Sequence, residues 1–393
     1  MTISKKMQQY LTGGSLIRKL FEEGAAMTKD GSGKPVYDFS LGNPSLDPPV
    51  EFMHALRDYA ASPPEHAHSY MANAGLPAAR EAVASQLSTE HACSFSAANV
   101  LMTVGAAGAV NVALKALLDA GDEVVVSAPY FVEYGYYVEN HGGRLVVVDS
   151  APSFQLDVQA IVAAITDKTK IVLITNPNNP TGVMYTQESL NQLGDALAEA
   201  SGRRGKPIYL LDDAPYRKLV YDVPRCTSSF DAYPYTLMAT SHSKDLSLPG
   251  ERIGFLALSP QIDDVDTLHA ACAFSARILG FVNAPALMQY LTASLQKATI
   301  DLRRYRERRD RLYTALTAYG YQMPYPDGAF YLFPKVPNGT DFSFVDRLKR
   351  QRVLTVPGSG FGKPGYFRIA YCVSDVTIEG ALKIFEEAAK QAN

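Results

Sequence analysis

Between residues 100 and 260, short apolar runs rich in β-branched residues alternate with longer stretches whose apolar positions recur at helical spacing. The runs are VLMTVG (100–105), EVVVSA (123–128), RLVVVD (144–149), KIVLIT (170–175), PIYLLD (207–212), TLMATS (236–241) and IGFLAL (253–258). Apolar residues at consecutive positions, rather than alternate ones, imply strands covered on both faces, as in a parallel sheet held between two helical layers. AAGAVNVALKALLDAG (106–121) and FVEYGYYVENHGG (131–143) keep apolar or aromatic residues at helical spacing and stop at glycine, so they read as crossover helices. The pattern predicts an α/β unit with a mostly parallel seven-stranded sheet flanked by helices.

After residue 290 the texture changes. TIDLRRYRERRDRLYTAL (299–316) predicts a long charged amphipathic helix, DGAFYLFPKV (327–336) a strand and VDRLKRQRV (345–353) another helix. This second unit is smaller and α+β. The N-terminal forty residues precede the α/β core and are expected to pack with the C-terminal unit. Two domains are therefore expected: a large one over 45–290, and a small one made of 1–44 and 291–393. At 393 residues the chain has room for both.

Composition narrows the function classes. A formal net charge of −3 supplies no cationic surplus for nucleic acid or anionic membranes, so neither is expected as a partner. Cys93, Cys226, Cys272 and Cys372 have neither CxxC nor Cys/His spacing, which argues against a disulfide framework or a metal site and for a reducing cytoplasm. The first residues carry two lysines with no apolar region behind them, so no export signal is expected.

In open α/β sheets the ligand lies beyond the carboxyl ends of the strands. After the first run, GAAG (105–108) opens a helix; it suits a phosphate, through free backbone N–H groups and the helix dipole, or equally a tight turn that needs small residues. After the fourth run, NPNNPTG (176–182) is held by two prolines and presents Asn176 and Asn179, whose amides both donate and accept. The fifth run enters DDAPYRKL (212–219), where a carboxylate buried at a strand end needs a cation, although an acidic helix cap is the plainer alternative. After the sixth, SHSKDLSLPGERIGF (241–255) carries Lys244 and Arg252. Lys244 suits an electrostatic anchor or, desolvated, a nucleophile toward a carbonyl; Arg252 suits a phosphate, by paired hydrogen bonds. A phosphate cradle, a nucleophilic amine and a carboxylate awaiting a cation together fit pyridoxal 5'-phosphate.

Ten motifs carry a resemblance over nearly the whole chain: DFSLGNP (38–44), SYMANAGLPAAR (69–80), TVGAAGAV (103–110), SAPYFVEY (127–134), NPNNPTG, DDAPY (212–216), SHSKDLSLPGERIG (241–254), PDGAFYLF (326–333), PGSGFG (357–362) and YFRIAY (366–371). In this order they resemble the class I/II pyridoxal-phosphate aminotransferases of fold type I, the aspartate aminotransferase family. The resemblance implies that Lys244 forms the Schiff base and shuttles the proton of the substrate Cα, and that Asp213 pairs with the pyridine nitrogen. It places Tyr216 and Asn179 at the cofactor 3'-oxygen, Phe131 on the ring face, and Ala106, Ala107, Ser241 and Arg252 around the phosphate. Arg368 and the Gly42 amide would take the substrate α-carboxylate. Tyr70 would reach the phosphate of a neighbouring subunit, which implies a homodimer with shared sites. His242 reads as structural.

Two departures accompany the resemblance. The phosphate turn lacks the hydroxyl residue of many members, leaving more of the contact to the backbone. Arg277, in SARILGFVNAP, lies near the segment from which some members supply a second arginine for dicarboxylates. The implied activity is transamination between an L-amino acid, foremost aspartate, and a 2-oxo acid, 2-oxoglutarate, by a ping-pong route. The same motifs accompany elimination enzymes such as C–S lyases. A transcription regulator with an aminotransferase-like domain is not expected, because the motifs begin by residue 38.

Overall fold

All seven apolar runs are strands of one sheet in the computed structural model, which describes residues 2–12, 27 and 33–390. In chain order the strands are β1 (Tyr37–Asp38), β2 (Val100–Thr103), β3 (Glu123–Ala128), β4 (Arg144–Asp149), β5 (Thr169–Thr175), β6 (Tyr209–Asp213), β7 (Thr236–Ser241), β8 (Gly254–Leu258), β9 (Tyr331–Leu332), β10 (Val353–Leu354), β11 (Val356–Pro357) and β12 (Phe367–Ala370). The large sheet has the order β2-β8-β7-β6-β5-β3-β4. Strand β8 runs antiparallel to both β7 and β2, and the other pairings are parallel. A parallel return needs a crossover, usually a full helix. The β7–β8 connection holds only the four-residue helix His242–Asp245 and a 3-10 turn, so the chain folds straight back.

Successive strand residues face opposite layers. Val124 and Val126 join a core with Leu211, Leu237 and Leu256 beneath the helix Gly105–Leu117, while Val125 joins Val172, Ile174 and Leu210 beneath the helix Gln187–Arg204. Edge strand β4 departs from the expected double coverage. Its side chains are half-buried or exposed, Val147 at 47%, because no strand lies beyond it.

The crossover helices are shorter than their patterns. They span Gly105–Leu117 and Glu133–Asn140, because the residues after each form the turn into the next strand. In the C-terminal part the charged helix is Leu302–Ala318. Of the strand expected over 327–336, only β9 pairs as a strand. The helix expected over 345–353 is Asp341–Arg350, because Thr340 and Ser343 form a capping box that starts it earlier, and Val353 already belongs to β10. Strand β1 lies parallel to β10. Helix Lys5–Thr12 instead rests on the helix Glu133–Asn140, with Lys6 Nζ donating to the Glu139 carbonyl at 3.0 Å and the Tyr10 and Tyr136 rings 4.7 Å apart. The rest of the expected N-terminal segment, 13–26 and 28–32, lies outside the described residues.

Arg309 ties the charged helix to the loop after β6. Fully buried, it meets Asp222 at 2.6 Å and Asp310 at 2.7 Å, with the rings of Tyr221 and Tyr325 at 4.9 and 4.6 Å.

Candidate active site

At the carboxyl ends of β5, β6 and β7, beside the first turn of the helix Gly105–Leu117, the chain encloses a cavity of about 260 Å³. It brings together Gly42, Ala106, Ala107, Phe131, Asn179, Asp213, Tyr216, Ser241, Lys244, Arg252 and Arg368. Eleven positions spread from residue 42 to 368 thus share one space: nine end or follow strands of the large sheet at one edge, while Gly42 comes from the segment after β1 and Arg368 from β12 of the three-stranded sheet.

Lys244 is held in the short helix after β7, which Ser241 caps through a 3.4 Å hydrogen bond from the Ser243 N–H. Its Nζ donates to the Gly42 carbonyl at 2.7 Å. Burial lowers the lysine to about 8; Cys372 opposes the change, and the positive charges of Arg368 and Arg252 add to it. At neutral pH an amine near 8 is neutral far more often than an ordinary lysine, and a neutral amine is the nucleophilic form.

Asp213 ends β6 with its side chain buried. Its Oδ2 accepts from the Tyr134 hydroxyl at 2.5 Å, and that hydroxyl lies 2.6 Å from Thr175 Oγ1. Its Oδ1 has no partner. Burial raises the carboxyl to about 6, with the Tyr134 hydrogen bond pulling the other way. A buried carboxylate with one free oxygen is costly unless a donor or cation meets it.

At one end of the cavity Arg252 faces Gly105. The glycine has φ +81°, which strains any side-chain-bearing residue, and a Cβ there would lie 2.9 Å from Arg252 Nη2 and displace the guanidinium. Arg252 donates to the Pro249 carbonyl at 2.8 Å. The helix start at Gly105 leaves its first N–H groups without intrahelical partners, and with the guanidinium they make an anion cradle. At the other end Arg368 donates to Asn179 Oδ1 at 3.0 Å and to the Ser40 carbonyl at 2.5 Å. Its guanidinium sits 4.7 Å from the Tyr331 ring and 4.8 Å from the Phe361 ring, and its Nε is unpartnered. The Tyr216 and Tyr331 hydroxyls are 2.6 Å apart. The arrangement suits a flat heteroaromatic ring carrying a phosphate at one end and a carbonyl at the amine, plus a carboxylate at Arg368.

Three further residues are placed elsewhere. Tyr70 is 93% exposed and does not line the cavity of its own chain. Arg277, in the last turn of the helix Val265–Ile278, does not line it either. His242 is buried with Nδ1 3.1 Å from Asp245 Oδ2, a partner within its own helix. Sequence reasoning missed Tyr134, Thr175, Tyr137 and Tyr331, all of which line the cavity. Tyr134 and Tyr331 lie inside the quoted motifs SAPYFVEY and PDGAFYLF. Tyr134 falls three residues after Phe131, the spacing that puts two side chains on one side of a turn.

The sequence model of aminotransferase class I and II matches residues 34–385. An aspartate/prephenate aminotransferase of Thermus thermophilus is 31% identical over 362 residues, covering 90% of this chain and 91% of the relative. A probable aspartate aminotransferase of Methanocaldococcus jannaschii is 29% identical, covering 89% and 92%. Among solved structures, an aminotransferase of Eubacterium rectale superposes with a TM-score of 0.96 at 38% identity over 100% of both chains. The aspartate aminotransferase of Thermus thermophilus with maleate gives 0.87 at 27% identity, covering 99% of this chain and 100% of that one.

Proposed function

Since the chain belongs to the class I and II aminotransferases, we propose that it uses pyridoxal 5'-phosphate to move an amino group between L-aspartate and 2-oxoglutarate by a ping-pong route. One observation carries the reading: a single cavity holds the lowered amine of Lys244, the unpartnered carboxylate oxygen of Asp213 and the buried guanidinium of Arg368. The printed names of the relatives support aspartate as the donor.

The residues fit the cofactor. Asp213 Oδ1 is free for the pyridine N–H; Lys244 Nζ, resting on the Gly42 carbonyl, would take the aldehyde, and the Gly105 turn, the Ala106 and Ala107 amides, Ser241 and Arg252 would take the phosphate. When bound, pyridoxal phosphate supplies an electron sink for the charge left when the substrate Cα loses its proton. The remaining work falls to the chain. Arg368, steadied by Asn179 and Ser40, binds the α-carboxylate and orients the Cα. The Lys244 amine would take the proton from that Cα and, as the ammonium, hold it for return as the amino group moves. Asp213 keeps the ring nitrogen protonated, and Tyr134 holds Asp213 in place. Tyr216 and Asn179 would donate to the ring oxygen, and Phe131 would cover the ring face.

In this reading residues 45–290 form the cofactor-binding domain and 1–44 with 291–393 the smaller one. The β1–β10 pairing supports the division at the N-terminal side, while the helix Lys5–Thr12 lies on the larger part. The active unit is a homodimer in which the exposed Tyr70 reaches the partner's phosphate. We place the enzyme in the cytoplasm on the strength of its four free cysteines. Among the described residues no helix is long and apolar enough to cross a membrane.

The test is a single turnover of the holoenzyme with L-aspartate. Transamination releases one equivalent of oxaloacetate per site and leaves the amino group on the protein-bound cofactor; release of free ammonia with no retained amine would overturn the reading in favour of elimination. Lys244→Ala should lose both the covalent link to the cofactor and turnover.

A further inference from the structure

Behind the active site lies a second, larger cavity of about 550 Å³, within the roughly 300–1,000 Å³ typical of ligand pockets. It shares none of the eleven residues that the first cavity brings together. Strand β6 separates the two. Asp213 faces the first cavity and its neighbour Asp212, on the opposite face of the strand, lines the second. Lys218, also in its wall, lies 3.4 Å from Asp245, the residue after Lys244.

The lining is strongly asymmetric in charge. Six of its side chains are lysine or arginine, against the two carboxylates of Glu90 and Asp212. Four of the cations, Arg225, Lys297, Arg303 and Arg306, are exposed at the rim, where Asp301 pairs with Arg303 and Asp222 with Arg306, each at 2.9 Å, so an anionic ligand there competes with two surface carboxylates. Deeper, the wall combines apolar Val220, Met238 and Ala214 with two polar groups that are not satisfied. Asp212, 2% exposed, accepts from Ser229 Oγ at 2.6 Å through Oδ2, but its Oδ1 has no partner. Gln296, 6% exposed, donates to the Thr292 carbonyl at 2.8 Å, and its Oε1 has no partner. Two unpaired acceptors in a buried wall each carry an uncompensated desolvation cost until a donor reaches them. The proposed chemistry of the first cavity uses neither.

We propose that this cavity is a second small-molecule site, for a ligand whose multiply charged head, phosphate or polycarboxylate, sits at the rim cations and whose N–H or O–H donors meet Asp212 and Gln296 at the inner wall. Such a ligand lies against the face of β6 opposite Asp213, beside the Lys218–Asp245 pair, in a space separate from the substrate's.

The holoenzyme is titrated by calorimetry with AMP, GMP and citrate, with adenosine as the uncharged control, in the presence of saturating L-aspartate. The expected result is saturable binding, one ligand per chain, for at least one of the three anions. AMP or GMP binding assigns the head to a phosphate ester, and citrate alone assigns it to a polycarboxylate. Adenosine binds about tenfold or more weaker than AMP where the head supplies affinity. Arg303→Gln with Arg306→Gln, both on exposed side chains, should weaken binding about tenfold or more. Asp212→Asn should weaken a donor-bearing ligand while sparing inorganic phosphate at the rim. No saturable binding by any of the three anions up to about 10 mM, a free energy weaker than roughly −3 kcal/mol, would overturn the proposal. So would displacement by L-aspartate, which would assign the binding to the first cavity, or affinity unchanged in the rim variant.

Discussion

Replacing Asp213 with asparagine should stabilise the cofactor-free protein while disabling the enzyme. Burial holds the Asp213 carboxyl at about 6 against an ordinary 3.8, so above pH 6 the folded chain keeps a charge that the unfolded chain solvates more cheaply. A folded-state pKa raised above the unfolded one favours folding below the lower value, and that advantage is lost as pH rises through the higher. With 1.36 kcal/mol for each tenfold change, the cost is about 3 kcal/mol at pH 8 and about half of that at pH 5. Asparagine titrates nowhere in this range, and its amide oxygen can still accept from Tyr134. Urea denaturation of the two apoproteins at pH 5 and pH 8 should therefore show the wild type losing about 1.5 kcal/mol relative to Asp213→Asn between the two. Adding cofactor should reverse the order at pH 8, because only the carboxylate compensates a protonated ring nitrogen. The variant's kcat/KM should fall at least about 100-fold. A stability difference that does not change with pH would refute the reasoning, since it would mean that the Asp213 charge is not the source of strain.

Arg368→Lys should lower kcat/KM for L-aspartate by about 100-fold, mainly through KM, because an ammonium cannot reproduce the paired hydrogen bonds of a planar fork; steady-state kinetics check this. Lys244 lies at about 8, below its ordinary 10.5. The rate at which apoprotein captures the cofactor aldehyde should accordingly rise with pH through about 8, and the cost of burying the charged amine relative to Lys244→Met should be full below pH 8 and gone by about pH 10.5. Arg309→Met should cost about 3 kcal/mol of stability in thermal denaturation, since it removes two ion pairs and two ring contacts from a fully buried guanidinium. Full cofactor occupancy in that variant would separate this structural role from the active site.

Local patterning and residue order carried much of this protein. Runs of β-branched residues told of strands covered on both faces; all seven became strands, six of them buried on both sides, while edge strand β4 stayed half-exposed. Lys244, Asp213, Asn179 and Arg368 were legible because each stands at the end of such a run or within a short motif, where a charge or amide has no packing reason to be. Other features required the chain to be folded. Strand β8 reverses direction because the β7–β8 connection, spent on holding Lys244 and Arg252, is too slight to cross over the sheet. The Tyr134 hydroxyl reaches Asp213 across 79 residues and Arg368 reaches Ser40 across 328, and nothing in local spacing announces such pairs. The second cavity belongs to the same class. Asp212 and Asp213 are adjacent and chemically identical, and only the sheet's alternation sends one to the candidate active site and the other to the wall behind it. Composition and periodicity act over a few neighbouring residues, so they specify elements and the ends of elements. Which distant groups meet, and which buried charges go unpaired, is settled only when those elements pack.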